Sequence, residues 1–466
     1  MKTAKATVGA SIFVYDLTAS AIASLRRALR YPNPEYRKTR GRDDDIPSHL
    51  TAVEELPDGN IRIPRGSILE LKTSLRINGI KAVFEDRRSP GNPISVKKVS
   101  GLRDYQSEGV EQVRRHLQGM IVLPCGGGKT TLGVGAMAEI GRSTLIIVPT
   151  TDLVDQWCAT LRDWLGIEAS VFGATKHEMG DVTVATSAAL AYHGHQDLSR
   201  FGFVIFDECH RVAAPTHQAL LHRIPARYRL GLTATPHRED GQTKVVQWTF
   251  GDVILEKTVP ELHKDGWLVL PDIEVVHTRF FFKMPDEPEW KDYAKLNDAL
   301  SCSSARNLAI LNLIIKDRAN NHCWLVLCGM IDHCDFLAEQ LSEIGFAAKS
   351  VTSKLSKGRR KKAIQSLRDG SLQIMVATSL ADEGLDIKRL DRVILASPGR
   401  AKGQLAQRIG RSMRPLGSKK PIIYDIVDHE VDMLHERWLA RRRVYRRLRL
   451  KVSECPTLNL FAQATS

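Results

Sequence analysis

Hydrophobic positions along this chain fall into two rhythms. From Gly101 to about residue 275, short runs that are apolar at nearly every position recur: Met120–Leu123, Thr144–Val148, Val182–Ala185, Phe203–Phe206 and Arg229–Leu232. Longer stretches with helical spacing separate them. Continuous apolar runs suit strands covered on both faces, so the pattern predicts a parallel sheet under helices. A second series starts near residue 320 with Trp324–Leu327, Ala347–Val351, Ile374–Ala377, Val393–Leu395 and Ile422–Ile426. Two α/β domains in tandem are therefore expected, over residues 96–278 and 279–430, with Pro285-Asp286-Glu287-Pro288 in the stretch that joins them.

The first 95 residues carry a different, mixed rhythm and predict a small α+β domain of their own. Ser11–Val14 suits a strand, and Ile22, Leu25 and Leu29 mark one face of a helix from Thr18 to Tyr31. A loop is expected from Tyr31 to Ser48. A hairpin should follow, from Thr51-Ala52-Val53 through the turn Pro57-Asp58-Gly59-Asn60 to Ile61-Arg62-Ile63. Ser67 is placed to cap a helix running through Leu75, and Lys81–Phe84 gives one more strand. DNA binding is an open role for this domain.

At 466 residues the chain exceeds one hydrophobic core, in keeping with several domains. No apolar run approaches the ~20 residues that span a bilayer, and the N-terminus shows no secretion signal, so no membrane partner and a cytoplasmic location are expected, in a bacterial or phage-infected cell. Eight cysteines without paired spacing read as reduced thiols, with Cys323 and Cys328 inside a buried strand pattern. Charge changes the picture more. Of a net +14, an excess of +10 lies between Gly399 and Lys451, where 15 Lys or Arg face 5 Asp or Glu. A polyanionic partner accounts for such a concentration. Within it, residues 431–466 form a basic helix and tail: Leu434, Trp438, Tyr445 and Leu448 make one packed face. Arg437, Arg441, Arg442, Arg443, Arg446, Arg447 and Arg449 lie on the others, placed to meet phosphate.

The candidate chemistry sits at strand ends. Leu123-Pro124-Cys125-Gly126-Gly127-Gly128-Lys129-Thr130-Thr131 follows a strand and opens a helix. Consecutive glycines let backbone N–H groups close round phosphate, Lys129 reaches the outer phosphates, and Thr130 offers a hydroxyl to magnesium. Leu123 stands where the strict phosphate loop has its first glycine. Downstream, Phe203–Phe206 ends in Asp207-Glu208, where Asp207 can hold magnesium and Glu208 can orient an attacking water.

With these in place, Asp207-Glu208-Cys209-His210 resembles the second motif of superfamily 2 helicases, and further motifs fall in order. Leu102–Gln106 resembles the adenine-recognition motif, with Arg103 and Gln106 reading the base. Val148-Pro149-Thr150 through Gln156-Trp157, and Ala185-Thr186-Ser187, resemble the strand-contacting motifs Ia and Ib. Leu232–Pro236, with Thr233 and Thr235, resembles motif III, the coupling element. Thr378 through Gly384 and Asp386 resembles motif V. Gln407–Arg414 resembles motif VI, whose Arg411 and Arg414 would act as arginine fingers beside Gln407. The resemblance covers residues 101–450 and implies two tandem RecA-like domains that use ATP and Mg2+.

His237-Arg238-Glu239-Asp240 after motif III resembles XPB-type repair helicases, with phage UvsW-type helicases as an allied comparison. That resemblance implies an ATP-dependent DNA helicase or translocase that unwinds or remodels branched DNA, moving 3′ to 5′. DNA is the expected track, with other repair or replication proteins as further partners. Two alternatives stay open: an RNA helicase, and the DNA-translocating subunit of a larger repair or defence complex.

Overall fold

The computed structural model of the chain describes residues 3–33, 36, 46–173, 176–193, 196–235, 241–285, 289–318, 320–378, 387–397, 409–410, 413–417 and 419–455. By internal contacts the chain divides into two compact units. One consists of Met1–Pro124 and Gly128–Lys257; the other is Thr258–Ser466 with Cys125–Gly127.

The first unit begins with a small sheet. Strands β1 (Thr3–Val8), β2 (Ser11–Tyr15), β5 (Glu54–Glu55), β6 (Ile61–Pro64) and β7 (Lys81–Asp86) line up as β5-β6-β2-β1-β7. A separate two-stranded ladder joins β3 (Arg30–Pro32) to β4 (His49–Thr51). The hairpin is therefore displaced from its expected arms: Thr51 pairs back to Arg30, and Glu54–Glu55 takes the place opposite Ile61 and Arg62. Thr18 caps the helix Ala19–Ala28, with Leu25 buried, as the spacing predicts. Ser67 does not cap by its side chain. Its hydroxyl donates to the Pro64 carbonyl at 2.6 Å, closing a short 3-10 turn that leads into the helix Ile68–Ile77.

Next comes a seven-stranded parallel sheet ordered β10-β11-β9-β12-β13-β8-β14. Its members are β8 (Gln118–Val122), β9 (Thr144–Val148), β10 (Ser170–Phe172), β11 (Val182–Thr186), β12 (Phe203–Asp207), β13 (Tyr228–Thr233) and β14 (Val253–Glu256). Strands β9, β11 and β12 are buried at every position, as continuous apolar runs require. The chain leaves β8 and crosses over β13 and β12 to reach β9, which opens a crevice at the carboxyl ends of β8 and β12 with β13 between them.

The first 95 residues, expected as a domain of their own, have their own sheet but share one compact unit and one apolar core with this motor sheet. Two buried guanidinium groups staple them together. Arg65 donates from Nε to Gln118 Oε1 at 2.6 Å and from its terminal nitrogens to the carbonyls of Ala226 and Arg227. Arg229, on β13, donates to the Ala10 carbonyl in the β1–β2 turn at 3.0 Å, and to those of Thr249, Leu221 and Ile224. Burial pulls both guanidinium pKa values down, Arg229 to about 10. A Cβ on Gly66 would lie 2.4 Å from the Trp248 carbonyl, so only glycine admits this close approach.

The second unit carries a parallel sheet ordered β17-β18-β16-β19-β20-β15-β21. Its members are β15 (Asp272–Thr278), β16 (Cys323–Leu327), β17 (Ala348–Val351), β18 (Ile374–Ala377), β19 (Leu390–Leu395), β20 (Ile422–Asp428) and β21 (Val452–Glu454). Two expected boundaries move. Asp272–Thr278, placed by the sequence at the end of the first motor domain, pairs along its whole length with β20, so the second domain takes it. The segment expected as a C-terminal appendage, 431–466, supplies the helix Asp432–Arg447 and the edge strand β21, which pairs with β15.

Within that helix, Arg441 is not offered to phosphate. It is buried and donates from Nε to Asp425 Oδ2 at 2.9 Å, an atom that also accepts from the Tyr445 hydroxyl at 2.7 Å. Arg442, Arg443, Arg446, Arg447 and Arg449 remain exposed.

Candidate active site

The glycine loop leaves the carboxyl end of β8 and opens the helix Lys129–Ile140, whose N-cap Gly128 has φ +73°. Gly128 is needed for space as well as for conformation: a Cβ there would sit 2.4 Å from Gln106 Nε2. Gln106 donates from Nε2 to the Gly128 carbonyl at 3.1 Å, and its Oε1 accepts from the Arg103 N–H at 3.0 Å. Both ends of this amide are thus engaged, and the adenine-reading motif is tied to the phosphate loop. Arg103 caps the helix Asp104–His116 and donates to the Tyr105 hydroxyl at 2.8 Å. Lys129 Nζ donates to the Leu123 carbonyl at 3.2 Å, closing the loop on itself. Thr131 is half-buried in the first turn of the loop helix.

Asp207 ends β12 and is buried. Its Oδ2 accepts from the Trp157 indole N–H at 2.9 Å, and its Oδ1 accepts from the Glu208 N–H at 2.9 Å. Burial first, and the neighbouring Glu208 charge second, push its carboxyl up to about 6, against the pull of Lys129 and the indole. Glu208 sits at φ +52°, a left-handed backbone that is uncommon outside glycine and concentrates at functional sites. Burial works to raise its pKa, yet the His210 ring together with Lys129 and Arg211 holds it below the usual carboxylate value. The two acids therefore differ: Glu208 keeps its charge while Asp207 holds a proton more readily.

Magnesium fits this donor set. Glu208 Oε2 is buried without a hydrogen-bond partner among the described residues, with His210 Nδ1 3.3 Å away. Two adjacent buried carboxyl groups meet here beside Lys129, and a divalent ion bound between them would offset their mutual repulsion. Thr130 and Asp207 are the residues that would hold it.

Motif III joins the same place. Thr233, at the end of β13, shares a hydrogen bond with His210 Nδ1 at 3.1 Å, and its Oγ1 accepts from the Thr235 N–H at 3.1 Å. Because β13 lies between β8 and β12, this hydroxyl stands between loop and acids by sheet order alone.

Other expected site residues have structural duties. The Thr150 hydroxyl caps the helix Thr151–Leu165 by accepting from the Leu153 N–H, and that of Thr186 caps Ser187–Tyr192 by accepting from the Ala189 N–H. Pro149 is half-buried beside Thr150. Gln156, expected to contact a strand, donates to Thr130 Oγ1 at 3.4 Å. In the second unit, Thr378 is buried and its hydroxyl has no hydrogen-bond partner among the described residues. Arg414 is half-buried, and its carbonyl accepts from Lys419 Nζ at 3.0 Å. Arg238, Gly384, Asp386, Gln407 and Arg411 lie outside the described residues. Trp157 and His210 lie within the stretches that resemble motifs Ia and II, but their contacts with Asp207 and Glu208 were not foreseen from the sequence. The available signal was their adjacency to Gln156 and to the acid pair.

A parallel sheet with a glycine loop and an acid pair at neighbouring carboxyl ends, followed in the chain by a second parallel sheet, defines the class: a nucleotide-driven motor of two RecA-like domains. Comparison with known families gives two matches, to "Type III restriction enzyme, res subunit" over residues 100–238 and to "Helicase conserved C-terminal domain" over residues 305–415. The chain carries both matched helicase domains and is similar to superfamily 2 helicases of the XPB type.

Among relatives, it is 29% identical over 395 residues to a "Putative DNA 3'-5' helicase Rad25" of Haloarcula marismortui, covering 82% of this chain and 60% of the relative. It is 28% identical over 370 residues to a "DNA 3'-5' translocase XPB2" of Sulfurisphaera tokodaii, covering 71% of this chain and 82% of the relative. The chain thus spans less than two thirds of the first of these. The solved structure of T4 UvsW aligns over 97% of this chain and 99% of its own, at 17% identity and a TM-score of 0.43.

Proposed function

We propose that the chain is an ATP-driven DNA motor that unwinds duplex or remodels branched DNA, moving 3′ to 5′. The observation that carries this reading is the joined set Lys129, Asp207, Glu208, His210 and Thr233 at the crevice of one parallel sheet. The two relatives described above are named for DNA and for 3′–5′ movement, and the exposed arginines of the Asp432–Arg447 helix suit a phosphate backbone.

Glu208, charged and held by the ring of His210, orients the water that attacks the outer phosphate. Lys129 carries positive charge to the phosphates, and the loop helix presents its N-terminus to them. Thr130 and Asp207 would hold magnesium, which would supply positive charge beside the phosphates. The His210–Thr233 contact passes a change at Glu208 to motif III. Arg411 and Arg414, with Gln407, supply the arginine fingers of the second domain, so hydrolysis is tied to domain closure. Work on cytoplasmic DNA beside other repair proteins follows from the same reading.

The test is strand displacement by the purified chain on duplexes with a 3′ or a 5′ single-stranded tail and on four-way junctions, with DNA and RNA versions of each. ATP-dependent displacement from 3′-tailed DNA or junctions is the expected result. Displacement of RNA alone would make it an RNA helicase. A chain that hydrolyses ATP on DNA without displacing any strand would favour a subunit of a larger assembly.

A further inference from the structure

One helix touches both magnesium-side groups. Thr151–Leu165 begins at the N-cap Thr150, the expected strand contact, and in its second turn it carries the neighbours Gln156 and Trp157. The Gln156 amide donates to the hydroxyl of Thr130 at 3.4 Å, and the Trp157 indole donates to the carboxylate of Asp207 at 2.9 Å. Thr130 and Asp207 come from different elements, the loop helix and β12, and adjacent side chains of a third element reach both.

Space is reserved for the indole. Trp157 is fully buried, and Gly133 on the loop helix faces it so closely that a Cβ there would lie 2.5 Å from the ring edge. The ring is thereby wedged against the loop helix while its N–H points to Asp207. A purely apolar core position would be filled as well by Phe or Leu. A buried indole whose only polar atom meets the metal-side carboxylate has a further role.

We propose that Gln156 and Trp157 are positioning residues for the magnesium side of the ATP site, fixing the Thr130 hydroxyl and the Asp207 carboxylate relative to one another. The inference rests on the ATP-motor reading above. The helix starts at the track contact, so a strand that shifts its first turn also shifts both hydrogen bonds. Track binding then alters how well the site accepts magnesium with nucleotide.

The test compares wild type with Trp157→Phe, which keeps a ring and removes the N–H, and with Gln156→Ala, a half-buried position that tolerates truncation. Equilibrium binding of a fluorescent ADP is measured in EDTA and across a Mg2+ titration. Trp157→Phe should raise the Mg2+ needed for half-maximal binding about tenfold, the worth of one charge-assisted hydrogen bond, and Gln156→Ala about threefold. Binding in EDTA should stay near wild type in both variants, as should the unfolding temperature of Gln156→Ala. Trp157→Phe should unfold at a lower temperature because it empties part of a fully buried site. In the wild type, the Trp157 indole N–H resonance, assigned by its loss in Trp157→Phe, should move when Mg2+·ADP is added. Equal weakening with and without Mg2+, or an unchanged Mg2+ requirement in both variants, would overturn the proposal and leave the motor reading standing. A wild type that binds no nucleotide would instead remove both.

Discussion

At the scale of single residues, the acid pair is where structure and chemistry pull against each other. Asp207 is fully buried, and its carboxyl sits at about 6 rather than 3.8. Between those values the folded protein holds a proton that the unfolded chain has lost, so stability falls as pH rises through this window, and the full cost is present above 6. Asp207→Asn should therefore stabilise the nucleotide-free protein by about 2 kcal/mol at pH 8, and by far less at pH 4.5. Thermal unfolding at the two pH values measures this; an equal gain at both would show that ionisation is not the cause. The placement of Lys129, Asp207 and Glu208 at strand ends was legible in the sequence, because glycines and acids stand directly after apolar runs. Trp157 was less so. Its spacing with Val154 and Leu161 says core, and core it is. The partner of its N–H depends on strand order, which periodicity does not carry.

At the scale of elements, burial sorts the C-terminal arginines into two kinds. Arg441 forms a buried ion pair with Asp425, which also accepts from Tyr445. Arg441→Ala should cost about 3 kcal/mol in the unfolding of the second domain, because it leaves a buried carboxylate unpaired. Arg442→Ala and Arg446→Ala, both exposed, should leave the unfolding temperature unchanged. They should weaken DNA binding evenly across sequences and lower the slope of log affinity against log salt by about one each. Salt-titrated binding beside thermal unfolding separates the two kinds, and a salt slope that ignored Arg442 and Arg446 would remove the helix from the DNA path. From sequence, the seven arginines look alike. Only the packed position of Asp425, fully buried on β20, picks out one of them.

Strands show the same limit. Those buried on both faces, such as β9 and β12, were evident as apolar runs. β1 was missed because its buried alternation rests on Ala4 and Ala6, and β21 because all three of its residues are exposed at a sheet edge. The stretch that forms β15 falls at the end of the first expected motor domain, whereas the structure gives it to the second, since sheet membership is decided by pairing with β20.

At the scale of the whole chain, the N-terminal 95 residues are a structural part of the first motor unit. Arg65 and Arg229 are buried cations that donate to neutral oxygens, and the bonds of Arg65 to Gln118 and Arg227 and of Arg229 to Ala10 cross between the small sheet and the motor sheet. Arg65→Met leaves the carbonyls of Ala226 and Arg227 without these donors and should cost about 3 kcal/mol. Removing residues 1–88 should give a motor domain that is insoluble or unfolds well below the full chain. A truncated motor that unfolds at the full-chain temperature would show these residues to be a detachable module. The tandem motor architecture was legible from two series of apolar runs, whereas this fusion was not, because nothing in the order of residues says that Ala10 faces Arg229.

The central claim is that this chain is an ATP motor driven by DNA. The most direct measurement is ATP hydrolysis by the purified protein beside Lys129→Ala, with single-stranded DNA, duplex, a four-way junction or RNA. Stimulation by DNA, strongest on branched forms and lost in Lys129→Ala, is the predicted result. Hydrolysis that ignores every polynucleotide, or that survives in Lys129→Ala, would contradict it.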